Sequence, residues 1–186
     1  MTNALLLIDI QQAFIEPANA PYWGQRNNPN AEENAAHLLA HWRTTGQPVI
    51  FVRHLTTNPK SPLIGNGAKI QAVVAPNPDE PVLDKSTNSG FIGTDLQDRL
   101  IALNAAEVTI CGLTTPHCVS TTTRMAANLG FSVTLVHDAC AAFTQNVQPS
   151  WRNGQVASAQ SIHDAAIDQL HGEFATALPT DQVVSR

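Results

Sequence analysis

The sequence predicts an α/β fold of the three-layer α/β/α class, a parallel sheet covered by helices on both faces. Three observations lead there. Short apolar runs alternate with longer segments of helical periodicity. The runs are apolar throughout rather than alternately apolar and polar, which marks strands buried on both faces. The chain has 186 residues with no internal repeat, low-complexity tract or second core, which fits a single domain over residues 1–186.

The elements follow in order. Residues 4–9, ALLLID, form the first strand. The N-terminal MTNALLLIDIQQ lacks the basic region and small-residue cleavage site of a signal peptide, so it reads as this strand. Residues 17–30, rich in Pro, Asn, Gly and aromatics, read as a long loop. Residues 30–45 read as a helix, because Ala35, Leu38, Leu39 and Trp42 recur at helical spacing and Gly46 closes the end. Residues 49–53, VIFVR, make the second strand. A loop at 56–67, a short helix at 70–74 and a turn at 77–80 lead to the third strand at 81–85, PVLDK. Residues 94–104 open on TDLQ, which reads as a capping box with Thr94 at the N-cap and Gln97 three residues on. Strand four is 108–111, and helix 117–129 is closed by Gly130. Strand five is 132–137, SVTLVH, and 144–154 is a polar loop. Residues 155–171 read as a helix with Val156, Ala159, Ile162, Ala166, Ile167 and Leu170 facing inward. Residues 174–178 read as a final edge strand.

Composition narrows the partners. Charged residues make up 13% of the chain against 43% hydrophobic, which excludes disorder and implies that part of the surface is covered by a second subunit. The net charge of −5, without any basic block, speaks against nucleic acid and anionic membrane. No apolar run approaches the length of a membrane span. Three cysteines, an odd number, do not make a disulfide framework and point to a reducing, cytoplasmic compartment.

In open α/β sheets, ligands bind beyond the carboxyl ends of the strands. Asp9 ends strand one, Lys85 ends strand three, and Cys118 follows strand four at the start of a helix. An acid, an amine and a thiol thus meet at one edge. A helix N-terminus and a nearby ammonium both favour a thiolate. A carboxylate can take the thiol proton and return it to a leaving amine. Backbone N–H groups can hold a tetrahedral oxyanion. Each residue also has a plain reading. Buried cysteines are commonly inert small hydrophobes, the reading adopted for Cys111 and Cys140, and position alone leaves Cys118 evenly balanced. Asp9 alone fits a loop anchor, and Lys85 alone a solvated surface lysine. His117 adjoins Cys118, but neighbouring helical positions point about 100° apart, so it reads as a rim residue. The turn DIQQAF holds no glycine-rich phosphate loop, against nucleotide binding.

These residues carry a family likeness. The chain resembles the isochorismatase-like cysteine hydrolases, which include nicotinamidases and N-carbamoylsarcosine amidases, over most of its length. LLLIDIQQAF is similar to the family's first strand with its D-x-Q-x-x-F signature, here Asp9, Gln11 and Phe14. DKSTNSGF resembles the lysine segment, here Lys85 and Phe91. CGLTTPHCVSTTTRMAANLGF, followed by SVTLVHDAC, resembles the nucleophile segment. The resemblance implies a six-stranded, mostly parallel, Rossmann-like sheet and a catalytic triad of Asp9, Lys85 and Cys118. It implies a site often completed by a neighbouring subunit in a homo-oligomer, and no organic cofactor. It also implies a cis peptide between Leu113 and Thr114 that turns the Thr114 N–H into an oxyanion hole beside the Cys118 N–H.

Departures from the pattern carry information too. Nicotinamidases have a D-x-H-type metal site after the second strand. FVRHLTTNP supplies His54 without the preceding acid or a second histidine, so no catalytic metal is expected and nicotinamidase activity is disfavoured. Some relatives that hydrolyse the vinyl ether of isochorismate lack the cysteine, and its presence here favours acyl chemistry. Gly90 stands where relatives often carry a bulkier residue, which implies a roomier pocket.

The expected reaction is hydrolysis of a small-molecule amide or carbamoyl C–N bond through a thioester. Substrate contacts are expected from Gln11, Phe14, Trp23, His54, Phe91 and Leu113, with Trp151 as a further wall. Loops 17–30, 55–67 and 144–154 would set specificity. The alternatives are an isochorismatase-type ether hydrolase and a non-hydrolytic thiol or redox protein on the same fold. The latter needs a resolving thiol, and Cys111 and Cys140 read as strand-bound or strand-adjacent.

Overall fold

A computed structural model describes residues 2–152, 154–155 and 157–185. Six strands form one sheet: β1 (Thr2–Ile8), β2 (Val49–His54), β3 (Val82–Lys85), β4 (Ala105–Leu113), β5 (Ser132–Ala141) and β6 (Thr176–Leu178). Their order is β3-β2-β1-β4-β5-β6, and every neighbouring pair is parallel. The chain runs outward from β1 to β3 on one side and from β4 to β6 on the other. The topological switch point therefore lies between β1 and β4.

β1 occupies the centre because its sequence suits no other place. Ala4 to Ile8 are each at most 1% exposed. Successive strand side chains point to opposite faces, so both faces of β1 are covered. Fully burying each Leu or Ile contributes about 1.5–3 kcal/mol. The covering helices are α1 (Ala20–Trp23), α2 (Ala31–Thr45), α3 (Leu96–Ala102), α4 (Ser120–Asn128), α5 (Ala159–Asp168) and α6 (Thr180–Val184). The crossovers β1–α2–β2 and β4–α4–β5 step in opposite directions along the sheet. Right-handed connections then put α2 and α4 on opposite faces. α2 buries Ala35, Leu38, Leu39 and Trp42, the stripe expected from spacing, and ends at Gly46 with φ +66°. That left-handed cap suits glycine and lets its N–H bond the Arg43 carbonyl.

Several expectations are corrected. TDLQ makes no capping box: α3 starts at Leu96 with Asp95 at the N-cap and no side-chain cap bond. Thr94 Oγ1 donates instead to the Gly90 carbonyl and accepts from Leu96 N–H, which spends it on the preceding turn. The helix expected at 155–171 is shorter, because Ser158 caps it by accepting from Ser161 N–H. Val156 lies outside the described residues. Strands four and five extend further than their most apolar cores, since parallel pairing with a buried neighbour overrides local composition. The final strand is only Thr176–Leu178, and α6 follows it unannounced. The 17–30 segment is not all loop, because α1 forms within it.

Candidate active site

Three chain segments deliver the reactive groups to the carboxyl edge of the sheet. Asp9 follows β1 directly and turns the chain with φ +51°, a left-handed conformation that aspartate tolerates better than most residues. Its main-chain N–H bonds Val52 O across on β2. Lys85 is the last residue of β3 and is paired in register with His54, the last residue of β2. Cys118 lies in a one-turn π-helix, Thr115–Val119, between β4 and α4. In that turn Val119 N–H donates to Thr114 O at 3.3 Å, five residues back. The Leu113–Thr114 peptide is cis. Just before it, Gly112 (φ +130°) lies so close to β1 that a Cβ would stand 2.0 Å from the Ile8 carbonyl oxygen.

The side chains converge on the Lys85 ammonium. Lys85 Nζ donates to Asp9 Oδ2 at 2.7 Å and to Cys118 Sγ at 3.3 Å, and it contacts His54 Nδ1 at 3.2 Å. The Lys85 and Asp9 side chains are 0% and 2% exposed. An ion pair so deeply buried costs much of its Coulomb gain in lost hydration, so stability alone does not account for it. Asp9 Oδ1 is buried with no hydrogen-bond partner among the described residues.

The electrostatics correct one expectation. Burial holds the Asp9 carboxyl above its ordinary range, with the Lys85 ammonium pulling it back. Burial pushes the Cys118 thiol up as well; the Asp9 carboxylate adds to this, and Lys85 opposes without winning. Burial thus outweighs the helix N-terminus and the ammonium, which by themselves would favour a thiolate.

Asp9, His54 and Cys118 are the one trio of potential metal ligands found among the described residues, with ligand atoms within 4.8 Å of one another. All three are in contact with the Lys85 ammonium, so a cationic group already stands among these donors.

The other expected site residues separate. Phe14, Trp23 and Leu113 do come together, in a small apolar cluster with Ala13, Ala31, Ala141 and Phe143. Phe14 and Trp23 ring centroids are 4.4 Å apart, and Trp23 Nε1 donates to Ala13 O. Gln11 is not a pocket wall. It is fully buried, and its amide donates to His54 O and Ala68 O and accepts from His54 N–H, all at 2.9 Å. Phe91 belongs to the main core, where it stacks on Phe131. Gly90 opens no pocket, because a Cβ there would touch Leu96, Thr122 and Val52 at 3.4–3.5 Å. Trp151 is 81% exposed. His117 is exposed, in keeping with a rim position. Sequence reasoning missed Asn88, whose Oδ1 is 3.9 Å from Cys118 Sγ on the exposed segment after β3. It also missed Phe143, which completes the aromatic cluster; nothing in a lone Asn or Phe distinguishes these positions. A cleft of 610 Å³ lies elsewhere, around Gly46–Ile50 and Asn77–Pro81 at the amino ends of β2 and β3, and no thiol lines it.

Fold and site together define a parallel α/β protein with a thiol, a buried carboxylate and a buried ammonium gathered at its switch point. The isochorismatase domain model matches residues 3–182. The uncharacterized isochorismatase family protein YrdC of Bacillus subtilis is 43% identical over 185 residues, covering 98% of this chain and 95% of that one. A solved isochorismatase-family structure from Chromobacterium violaceum superposes with a TM-score of 0.90 at 38% identity, covering 99% of this chain and 92% of that one. A cysteine hydrolase from Pseudomonas syringae pv. phaseolicola superposes with a TM-score of 0.86 at 25% identity, covering 98% and 91%. The chain belongs to the isochorismatase family of hydrolases.

Proposed function

We propose that the protein hydrolyses a small-molecule amide or carbamoyl C–N bond, with Cys118 as nucleophile, Asp9 as general base and acid, and Lys85 as their electrostatic anchor. The observation that carries this reading is one ammonium held 2.7 Å from Asp9 Oδ2 and 3.3 Å from Cys118 Sγ, with Asp9 Oδ1 unpaired beside them. Asp9 takes the thiol proton as sulfur adds to the carbonyl carbon. The carbonyl π electrons move to oxygen, and the oxyanion is held by the N–H groups of Thr114 and Cys118. Collapse expels the amine, which leaves with the proton from Asp9. Water then adds to the thioester while Asp9 takes its proton, and the returning thiolate is reprotonated. A thiol suits an acyl carbon, where it can form and break a thioester, better than a vinyl ether. That chemistry favours C–N hydrolysis over the ether alternative. The similarity to a protein described as a cysteine hydrolase supports it as well.

The test is a panel of small amides and carbamoyl compounds assayed with wild type and Cys118→Ala. Turnover of at least one substrate is expected, with loss on the order of 10⁴-fold or more in the variant at unchanged melting temperature. Retained turnover in Cys118→Ala would remove the nucleophile assignment.

A further inference from the structure

An ammonium has three N–H bonds and no lone pair, so it can only donate. Lys85 has three neighbours to receive them: Asp9 Oδ2, Cys118 Sγ and His54 Nδ1. His54 Nδ1 must then carry a lone pair, which makes the ring neutral with its proton on Nε2. Burial and the Lys85 charge hold the ring below its ordinary pKa, in agreement with a neutral acceptor. The charged and titratable groups around it are Lys85 from β3, Asp9 after β1 and Cys118 from the π-turn.

The topology explains why His54 is the third partner. β2 lies between β3 and β1, so Lys85 must reach across the end of β2 to meet Asp9. The residue it crosses is its own register partner, His54. Gln11 grips the His54 main chain from both sides, through its N–H and its carbonyl. The ring is thus supported by the sheet edge and not by a mobile loop.

We propose that His54 is a positioning residue whose Nδ1 takes the third N–H of Lys85 and so holds the ammonium facing both the Asp9 carboxylate and the Cys118 sulfur. The inference rests on the reading of Lys85 and Cys118 given above. Without this acceptor the ammonium turns toward Asp9, its strongest partner, and its pull on the sulfur weakens. With Lys85 saturated by the protein, it has no donor left for substrate.

The experiment needs no substrate. Iodoacetamide alkylation of Cys118, located by peptide mass, is followed against pH in wild type, Lys85→Ala, His54→Ala and His54→Asn. Asparagine places its Oδ1 near the position of Nδ1 and does not titrate. Lys85→Ala is expected to move the alkylation profile to higher pH. His54→Ala is expected to move it the same way, by up to about one pH unit, roughly tenfold in rate at fixed pH. His54→Asn is expected to stay within about twofold of wild type. Should His54→Ala fail to fold, His54→Leu makes the same comparison. If Lys85→Ala shifts the profile and His54→Ala does not, or if Asn fails to rescue, the His54 inference falls alone. If Lys85→Ala has no effect, the role given to Lys85 in the proposed reaction falls with it. Nitrogen-15 shifts of the ring give an independent readout: the Nε2–H tautomer at pH 7 is expected, and the Nδ1–H tautomer or an imidazolium overturns the inference.

Discussion

Asp9 and Cys118 are intelligible only as a pair. Each is pushed toward its protonated form by burial, and each shapes the other. The carboxylate raises the thiol, so taking the carboxylate away leaves burial as the one push upward against the Lys85 ammonium. Asp9→Asn is therefore expected to speed iodoacetamide labelling of Cys118 at pH 7 on the order of tenfold. The same substitution is expected to cut hydrolysis by about 10²–10⁴-fold, because no base remains to take the proton in the transition state. Opposite movements of the two rates would be hard to obtain from simple misfolding. Slower labelling in the variant would show that the carboxylate does not act on the sulfur. The residue scale also shows where sequence reading stops. The meeting of Asp9, Lys85 and Cys118 at one sheet edge was legible because each stands at the end of an apolar strand or at its following turn; their joint role came only from the family resemblance. The upward push on the Cys118 thiol was not legible, because burial is a property of everything packed around it. Gln11 and Phe91 were legible as motif residues but not in their places: one amide is consumed by backbone groups, and one ring faces Phe131.

At the scale of elements, the contact between β1 and β4 controls the site. Asp9 leaves one strand, and the turn bearing Cys118 follows the other. Gly112 is in register with Ile8 across that contact. It has both a left-handed φ and a hydrogen where any Cβ would overlap the Ile8 carbonyl. Gly112→Ala is expected to cost about 3 kcal/mol or more, since neither backbone can move without breaking the ladder. Urea unfolding measures it, and a loss below 1 kcal/mol would mean that the two strands can separate locally at little cost. The failed capping box at Thr94 makes the complementary point. Its sequence pattern was sound, but a carbonyl from the Gly90 turn reached the hydroxyl first. Local signals are weak whenever tertiary partners compete for the same atom.

For the whole molecule, the strand order brings β1 and β4 together at the switch point and leaves β3 two strands away. Lysine has the reach for that gap, with His54 beneath it on the intervening strand. No described helix is long and apolar enough to cross a membrane. The Lys85 ammonium stands among the only trio of potential metal ligands found among the described residues. Dialysis against a chelator is accordingly expected to leave both turnover and melting temperature unchanged. Activity lost on dialysis and restored by a divalent cation would show that a metal takes part.

The sequence by itself determined the alternation of strands and helices, the parallel character of the sheet and the placing of Asp9, Lys85 and Cys118 at its carboxyl edge. Those properties follow from local apolar runs, helical spacing and the position of a polar residue at a strand's end, all of which the chain carries along its length. Tertiary structure alone decided which groups gather round the Lys85 ammonium, which aromatics meet, and what Gly90, Gln11 and His54 touch. Those depend on strand order and on what surrounds each atom. Atoms 43, 57 or 76 residues apart become hydrogen-bond partners only when the sheet closes.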